Sequence, residues 1–140
     1  MVLKKPRLLL ADDHQGILHE TRDLLRSKFD VVGTATDGIA LVEAAAKLRP
    51  DAVVTDIAMP RLNGIDASRE ILGRGLCGVV VLLTVSAEAP VVKAALEAGI
   101  RAYVLKLNAG EELIPAICVA LQGGTFVSAG IAACGDSEQK

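Results

Sequence analysis

Short apolar runs alternate with amphipathic stretches along most of this chain. Arg7 to Ala11 reads as a strand and closes on Asp12-Asp13-His14. Ile17, Leu18, Thr21, Leu24, Leu25 and Lys28 then repeat at the helical period, while Glu20, Arg22, Asp23 and Arg26 fall off that stripe and face water. Val31 to Thr36 reads as a second strand. Gly38 opens a second helix, with Leu41, Val42, Ala45 and Leu48 on one face and Pro50 as its stop. Ala52 to Thr55 is a third strand, and Ile65 to Leu72 a shorter helix ended by Gly73 and Gly75. Val79 to Leu83 is the most apolar run and predicts a central strand. Pro90 suits the first turn of a fourth helix, which runs to about Ala98 before Gly99. Ala102 to Leu105 is a fifth strand. Glu111 to Leu121 is a fifth helix, bent near Pro115 and ended by Gly123-Gly124. Five strands alternating with five helices predict a doubly wound parallel sheet of order 2-1-3-4-5 with right-handed crossovers. The first and fifth helices should cover one face and the other three the opposite face. The domain is read as residues 1–124. Residues 125–140 are read as a tail or the start of a linker, in which Thr125 to Gly130 has weak strand character without a partner and Gly135 to Lys140 is frayed.

Composition narrows the class. The chain has 140 residues, enough for one domain with a proper core, and 51% of them are hydrophobic. Phe29, Tyr103 and Phe126 are the only aromatics, so the core must be packed from Val, Leu, Ile and Ala. A formal charge of −2 leaves no electrostatic footprint for nucleic acid. Lys4, Lys5 and Arg7 make a small basic start that reads as a solvated lead-in. No apolar stretch approaches the roughly 20 residues of a membrane span, and no signal peptide is read at the N-terminus. Cys77, Cys118 and Cys134 lack metal-ligand spacing; reduced thiols and a cytoplasmic location are expected.

The chemistry centres on the stretch from Val53 to Asp66. Asp56 ends a strand, and Pro60, Asn63 and Gly64 force a loop behind it. Asp12 and Asp13 follow the first strand, Thr84 ends the fourth, and Lys106 follows the fifth. Taken singly, each has an ordinary explanation: Asp12 or Asp13 as a helix cap, Thr84 as a local turn, Lys106 as a solvated cation, Tyr103 as a core aromatic. In a doubly wound sheet, however, all these strand ends gather along one edge. Three carboxylates there repel one another and call for a hard, oxygen-loving cation such as Mg²⁺. A lysine beside them offers a point charge to a phosphoryl oxygen, and a threonine hydroxyl offers a donor.

Asp12-Asp13, Asp56 with Met59-Pro60 and Asn63-Gly64 behind it, Thr84, Tyr103 and Lys106 together resemble the receiver domain of two-component response regulators, over roughly Arg7 to Gly124. Ala11-Asp12-Asp13-His14, Thr84-Val85-Ser86 and Gly123-Gly124-Thr125-Phe126-Val127-Ser128 further resemble the LuxR-type subgroup. The resemblance implies a flavodoxin-like fold and a regulatory phosphoacceptor rather than a turnover enzyme. Asp56 would take a phosphoryl group from a sensor histidine kinase. Asp13, Asp56 and the backbone carbonyl of Ala58 would ligate Mg²⁺, with Asp12 assisting through water. Lys106 would contact the phosphoryl group, while Thr84 and Tyr103 would carry the switch. A second copy of the chain, as a homodimer, is an open partner. DNA would be reached only through a helix-turn-helix output domain, which these residues do not include; the chain is read as a receiver taken from a longer regulator or a stand-alone one.

Two positions depart from the common pattern. Val85 stands where many receivers have Ala or Gly, and its branched side chain is expected to narrow access to the site. Leu107 stands where many have Pro, which predicts a trans bond and a looser hold on Lys106. Three other readings compete. A phosphatase of the haloacid-dehalogenase type needs a second Asp two residues past the nucleophile, where this chain has Ala58. A flavin-binding module needs a hydroxyl- and Gly-rich phosphate loop, where Asp12-Asp13 would repel phosphate. A phosphorylation-independent receiver acting as an interaction module would not need the intact Asp12, Asp13, Asp56, Thr84 and Lys106 set.

Overall fold

A computed structural model describes residues 5–85 and 88–128. Lys4, Ser86, Cys134 and the tail readings at Ala129-Gly130 and Gly135 to Lys140 lie outside the described residues.

The chain runs β1 (Arg7–Ala11), α1 (Gln15–Leu25), β2 (Asp30–Ala35), α2 (Gly38–Leu48), β3 (Ala52–Thr55), α3 (Gly64–Gly73), β4 (Val80–Thr84), α4 (Ala89–Glu97), β5 (Ala102–Leu105), α5 (Ala109–Leu121) and β6 (Phe126–Val127). A 3₁₀ turn, Lys106–Asn108, joins β5 to α5. All pairings are parallel, and the order is β2-β1-β3-β4-β5-β6. The expected order 2-1-3-4-5 is present, but the sheet has six strands rather than five. The extra one comes from Phe126–Val127, in the segment read as a tail. A strand of two residues carries no periodicity to read, and its pairing depends on where α5 returns the chain.

The strands at the centre explain themselves. β3 and β4 are buried at every position, because helices cover both faces of a parallel sheet. Their Val and Leu side chains divide by strand alternation between two cores. Leu9, Val53, Val80, Leu82 and Tyr103 meet α2, α3 and α4 through Leu41, Ala45, Ile71 and Ala95. Leu8, Leu10, Val54, Val81 and Val104 meet α1 and α5 through Leu18, Leu25, Leu113 and Ile117. The helices therefore divide between the faces as the pattern predicts. Each buried Leu or Ile contributes on the order of 1.5–3 kcal/mol, so these two layers dominate the stability.

Helix ends set the loops that reach the site. His14, rather than Asp12 or Asp13, is the N-cap of α1, its Nδ1 accepting from Ile17 N–H at 3.3 Å. Asn63 caps α3 through Asp66 N–H at 2.9 Å. The carbonyls ending α2 are taken by the Arg7 guanidinium, which donates to Leu48 at 2.8 Å and Arg49 at 3.0 Å. α5 runs unbroken through Pro115, which is exposed.

Candidate functional site

Parallel register brings the polar strand ends together. Ala11 lies opposite Thr55, Thr55 opposite Leu82, and Thr84 opposite Leu105. The residues next along, Asp12, Asp56 and Lys106, thus emerge from one edge of the sheet. Asp12 and Asp56 are buried, whereas Asp13 is exposed. The three carboxylates each place an oxygen within 4.8 Å of the others.

Asp56 is held at every polar point. Its N–H donates to Ala11 O at 3.0 Å, continuing the ladder one step beyond β3. Its Oδ1 accepts from Ile57 N–H at 2.7 Å, and its Oδ2 from the Lys106 ammonium at 2.9 Å. Its carbonyl accepts the Thr55 hydroxyl at 2.9 Å. The loop that follows folds back until Gly64 N–H donates to Ile57 O at 2.8 Å. A Cβ on Gly64 would stand 1.8 Å from Asp56 O, so only glycine permits this approach. The Asn63-Gly64 pair read as a turn signal is thus also a steric requirement of the site.

Lys106 bridges two carboxylates, Asp12 Oδ2 at 2.7 Å and Asp56 Oδ2 at 2.9 Å. Partial burial works to lower its pKa, but the hydrogen bonds and charges of Asp12 and Asp56 outweigh burial and raise it above the ordinary lysine value. It is therefore a cation seated between two carboxylates. Leu107 is 89% exposed and Val85 79% exposed. The described residues contain no cis peptide bond.

Thr84 is buried at the end of β4, and Tyr103 is fully buried between Leu82 and Val127 in the sheet. Ala58 lies exposed in the loop two residues past Asp56. A depression of about 460 Å³ opens beside Lys106, between Ile17, Thr21 and Leu24 of α1 and Ala109 and Gly110 of α5. A larger open depression of about 1440 Å³ is lined by Arg7, Arg26, Asp30 and Asp51 and includes none of the clustered carboxylates. Burial pushes the Cys77 thiol pKa up, which marks it as a packing residue.

Two groups near the site were not legible as such. His14 follows the two aspartates, and its ring caps α1 while its backbone N–H donates to Asp12 Oδ1 at 2.9 Å. Ser128 looks like a tail serine, yet it is fully buried and its hydroxyl accepts Leu105 N–H at 3.0 Å. The sequence signals were its place at the end of the Gly123-to-Ser128 run and the weak strand character of that stretch.

The response regulator receiver domain family matches residues 8–118. A transcriptional regulatory protein of Mycobacterium tuberculosis, PdtaR, is 39% identical over 116 residues, covering 82% of this chain and 56% of its own length. The chain thus spans little more than half of that relative. A crystal structure of a LuxR-family two-component response regulator from Aurantimonas sp. SI85-9A1 superposes with a TM-score of 0.91 at 30% identity, over 97% of this chain and 99% of that one. The isolated receiver domain of RcsB from Salmonella enterica serovar Typhimurium, in the presence of the phosphomimetic BeF₃⁻, gives a TM-score of 0.84 at 26% identity, over 93% of this chain and 98% of that one. No helix among the described residues is long and apolar enough to cross a membrane. With the family matched across most of the chain and the fold shared over nearly all of it, this chain belongs to the receiver domains of two-component response regulators.

Proposed function

We propose that Asp56 is the phosphoacceptor of this receiver and that a sensor histidine kinase is its donor. The observation that carries this reading is the setting of Asp56. It is a buried strand-end carboxylate with one oxygen on a backbone N–H and the other on the Lys106 ammonium. Such contacts fix the direction of the carboxylate for nucleophilic attack. An Asp56 oxygen forms a bond to phosphorus as the phosphorus–nitrogen bond of the donor phosphohistidine breaks, and the imidazole leaves with the electron pair. Lys106 then neutralises phosphoryl oxygens, and the Thr84 hydroxyl is drawn toward another.

Asp13, Asp56 and the Ala58 carbonyl are proposed to hold Mg²⁺, with Asp12 assisting through water. Three carboxylate oxygens within 4.8 Å of one another form an all-oxygen donor set that fits a hard cation. Mg²⁺ bound there supplies positive charge that offsets the carboxylates and the incoming phosphoryl group. The output is proposed to be a change of surface rather than a turnover reaction, read by a second copy of the chain or by an output domain that contacts DNA. A cytoplasmic location goes with a kinase partner of this kind.

Intact mass spectrometry tests the assignment. Incubation with Mg²⁺ and a cognate kinase or a small phosphodonor should add one phosphoryl group to wild type and none to Asp56→Asn. Persistent labelling of Asp56→Asn would place the nucleophile elsewhere.

A further inference from the structure

The sixth strand is held by few contacts, and one of them leads back to the site. Phe126 N–H donates to Arg101 O at 3.1 Å, and Ser128 N–H to Tyr103 O at 2.9 Å. Phe126 and Val127 are only partly buried, Phe126 packing on the α1–α5 core and Val127 on the other. Gly123, at φ +90°, makes the turn into the strand, and its carbonyl accepts from Arg101 Nη1 at 2.9 Å. Ser128 closes the strand. Fully buried, its hydroxyl accepts Leu105 N–H at 3.0 Å and donates to the Glu112 carboxylate of α5. A side chain thus supplies the acceptor that a longer β6 would have offered β5.

Leu105 occupies a junction. Its N–H meets Ser128, its neighbour across β4 is Thr84, and the next residue is Lys106. Lys106 is pinned between Asp12 and Asp56. We propose that residues 125–128 are a releasable latch strand whose hold on β5 depends on the state of Asp56. The inference rests on the reading of Asp56 as phosphoacceptor and Lys106 as its contact. A phosphoryl group extends beyond the carboxylate, so the ammonium must move outward to meet its oxygens. That movement draws the Lys106 turn, and with it Leu105 N, away from Ser128. A hydrogen bond near 3.0 Å is lost within a shift of about half an ångström. The short ladder with β5, one hydroxyl clamp and the partial burial of Phe126 and Val127 stand against the conformational freedom of four residues, a balance that a small change can tip. The direction in which the chain leaves the sheet would then report on Asp56.

Hydrogen exchange on the full chain decides this. Amides of Phe126 and Ser128 are read against Leu9 in β1, in wild type, Lys106→Met and Ser128→Ala. Beryllofluoride with Mg²⁺ loads the acceptor, and bound fluoride is scored separately by fluorine NMR. Loading should speed exchange at Phe126 and Ser128 by about fivefold or more, the lower end of ordinary site-to-site coupling, and leave Leu9 unchanged. Lys106→Met should do the same without the mimic. Ser128→Ala should start from the raised rate and respond no further; should it lose Leu9 protection, Glu112→Gln takes its place. Bound fluoride with unchanged exchange at both amides overturns the latch while leaving the phosphoacceptor reading intact. Absence of bound fluoride would instead count against that reading. The Lys106→Met arm, which needs no mimic, then decides the latch: unchanged exchange there overturns it.

Discussion

The Lys106 ammonium lies 2.9 Å from Asp56 Oδ2, although the two residues are 50 positions apart in the chain. A contact between residues so distant exists because β4 pairs in parallel with both β3 and β5 and brings their ends to one edge. It also means that one lysine offsets both buried carboxylates, Asp12 and Asp56.

Lys106→Met is expected to destabilise the protein by about 1–3 kcal/mol. That is below the range for breaking a fully buried pair, because the cluster opens to water at Asp13. The pH dependence has a defined sign. The folded-state pKa of Lys106 is raised, so its stabilising effect is fully present below the unfolded lysine pKa of about 10.4 and is lost as pH rises through the folded value. The gap in unfolding free energy between wild type and Lys106→Met should therefore stay constant from neutral pH to about 10 and shrink above it. Denaturant titrations across that window measure it. A gap that widened above pH 10 would contradict the assignment.

Mg²⁺ is expected to raise the melting temperature of wild type by relieving repulsion among Asp12, Asp13 and Asp56. Binding to the folded state alone stabilises by mass action, reaching about 2.7 kcal/mol at 100 times the dissociation constant. Asp13→Ala should remove most of this gain, because Asp13 is exposed and can be truncated without opening the core. Lys106→Met should bind Mg²⁺ more tightly, since a competing cation is gone. Equal stabilisation of wild type and Asp13→Ala would show that the cation binds elsewhere.

Gly64→Ala tests the loop. The new Cβ would meet Asp56 O at 1.8 Å, a backbone clash that no rotamer change relieves. The cost should reach at least the about 1–3 kcal/mol of ordinary overpacking, and the rate of Asp56 labelling should fall with it. Gly73→Ala is the control: nothing lies within 4 Å of its Cβ, so it should be neutral or slightly stabilising. Thermal melts of the two variants that coincided would mean the loop can yield.

What the sequence made legible follows from how each element is held. β1, β3 and β4 announce themselves because burial on both faces demands uninterrupted Leu and Val. The strand-end positions of Asp12, Asp56, Thr84 and Lys106 follow once those strands are placed. β6 showed only as weak strand character without a partner, because a buried serine hydroxyl and a glycine turn, rather than an apolar run, seat it on β5. The N-cap of α1 is His14, not Asp12 or Asp13, whose ordinary explanation would have been a cap. Asp12 lies two residues before that position, with one oxygen on His14 N–H and the other on Lys106.

The relay through Thr84 and Tyr103 is the remaining test, and the packing sharpens it. The Tyr103 ring is already fully buried here, against the same core that contains Val92 and Ala95 of α4. An exposed ring turning inward is therefore not the change to look for. Thr84 ends β4, immediately before the segment that leads into α4. Drawing its hydroxyl toward a phosphoryl group would move the end of that strand and alter what the ring packs against. The effect should appear as altered protection in α4 and β5, residues 88–105, on loading with beryllofluoride. Thr84→Ala should abolish the response in this segment while still binding the mimic, because Asp56 and Lys106 are untouched. Tyr103→Phe keeps the ring and should retain most of it if packing carries the signal. Tyr103→Ala leaves a large cavity and should cost about 3–5 kcal/mol, as for other buried aromatics; it is informative only about stability. Coupling between sites is ordinarily about 1–3 kcal/mol, so the response should be a shift in exchange rates across α4 rather than its complete unfolding. Bound mimic with unchanged protection throughout residues 88–105 in wild type would leave Thr84 and Tyr103 as packing residues and put the whole burden of signalling on the Lys106 side of the site.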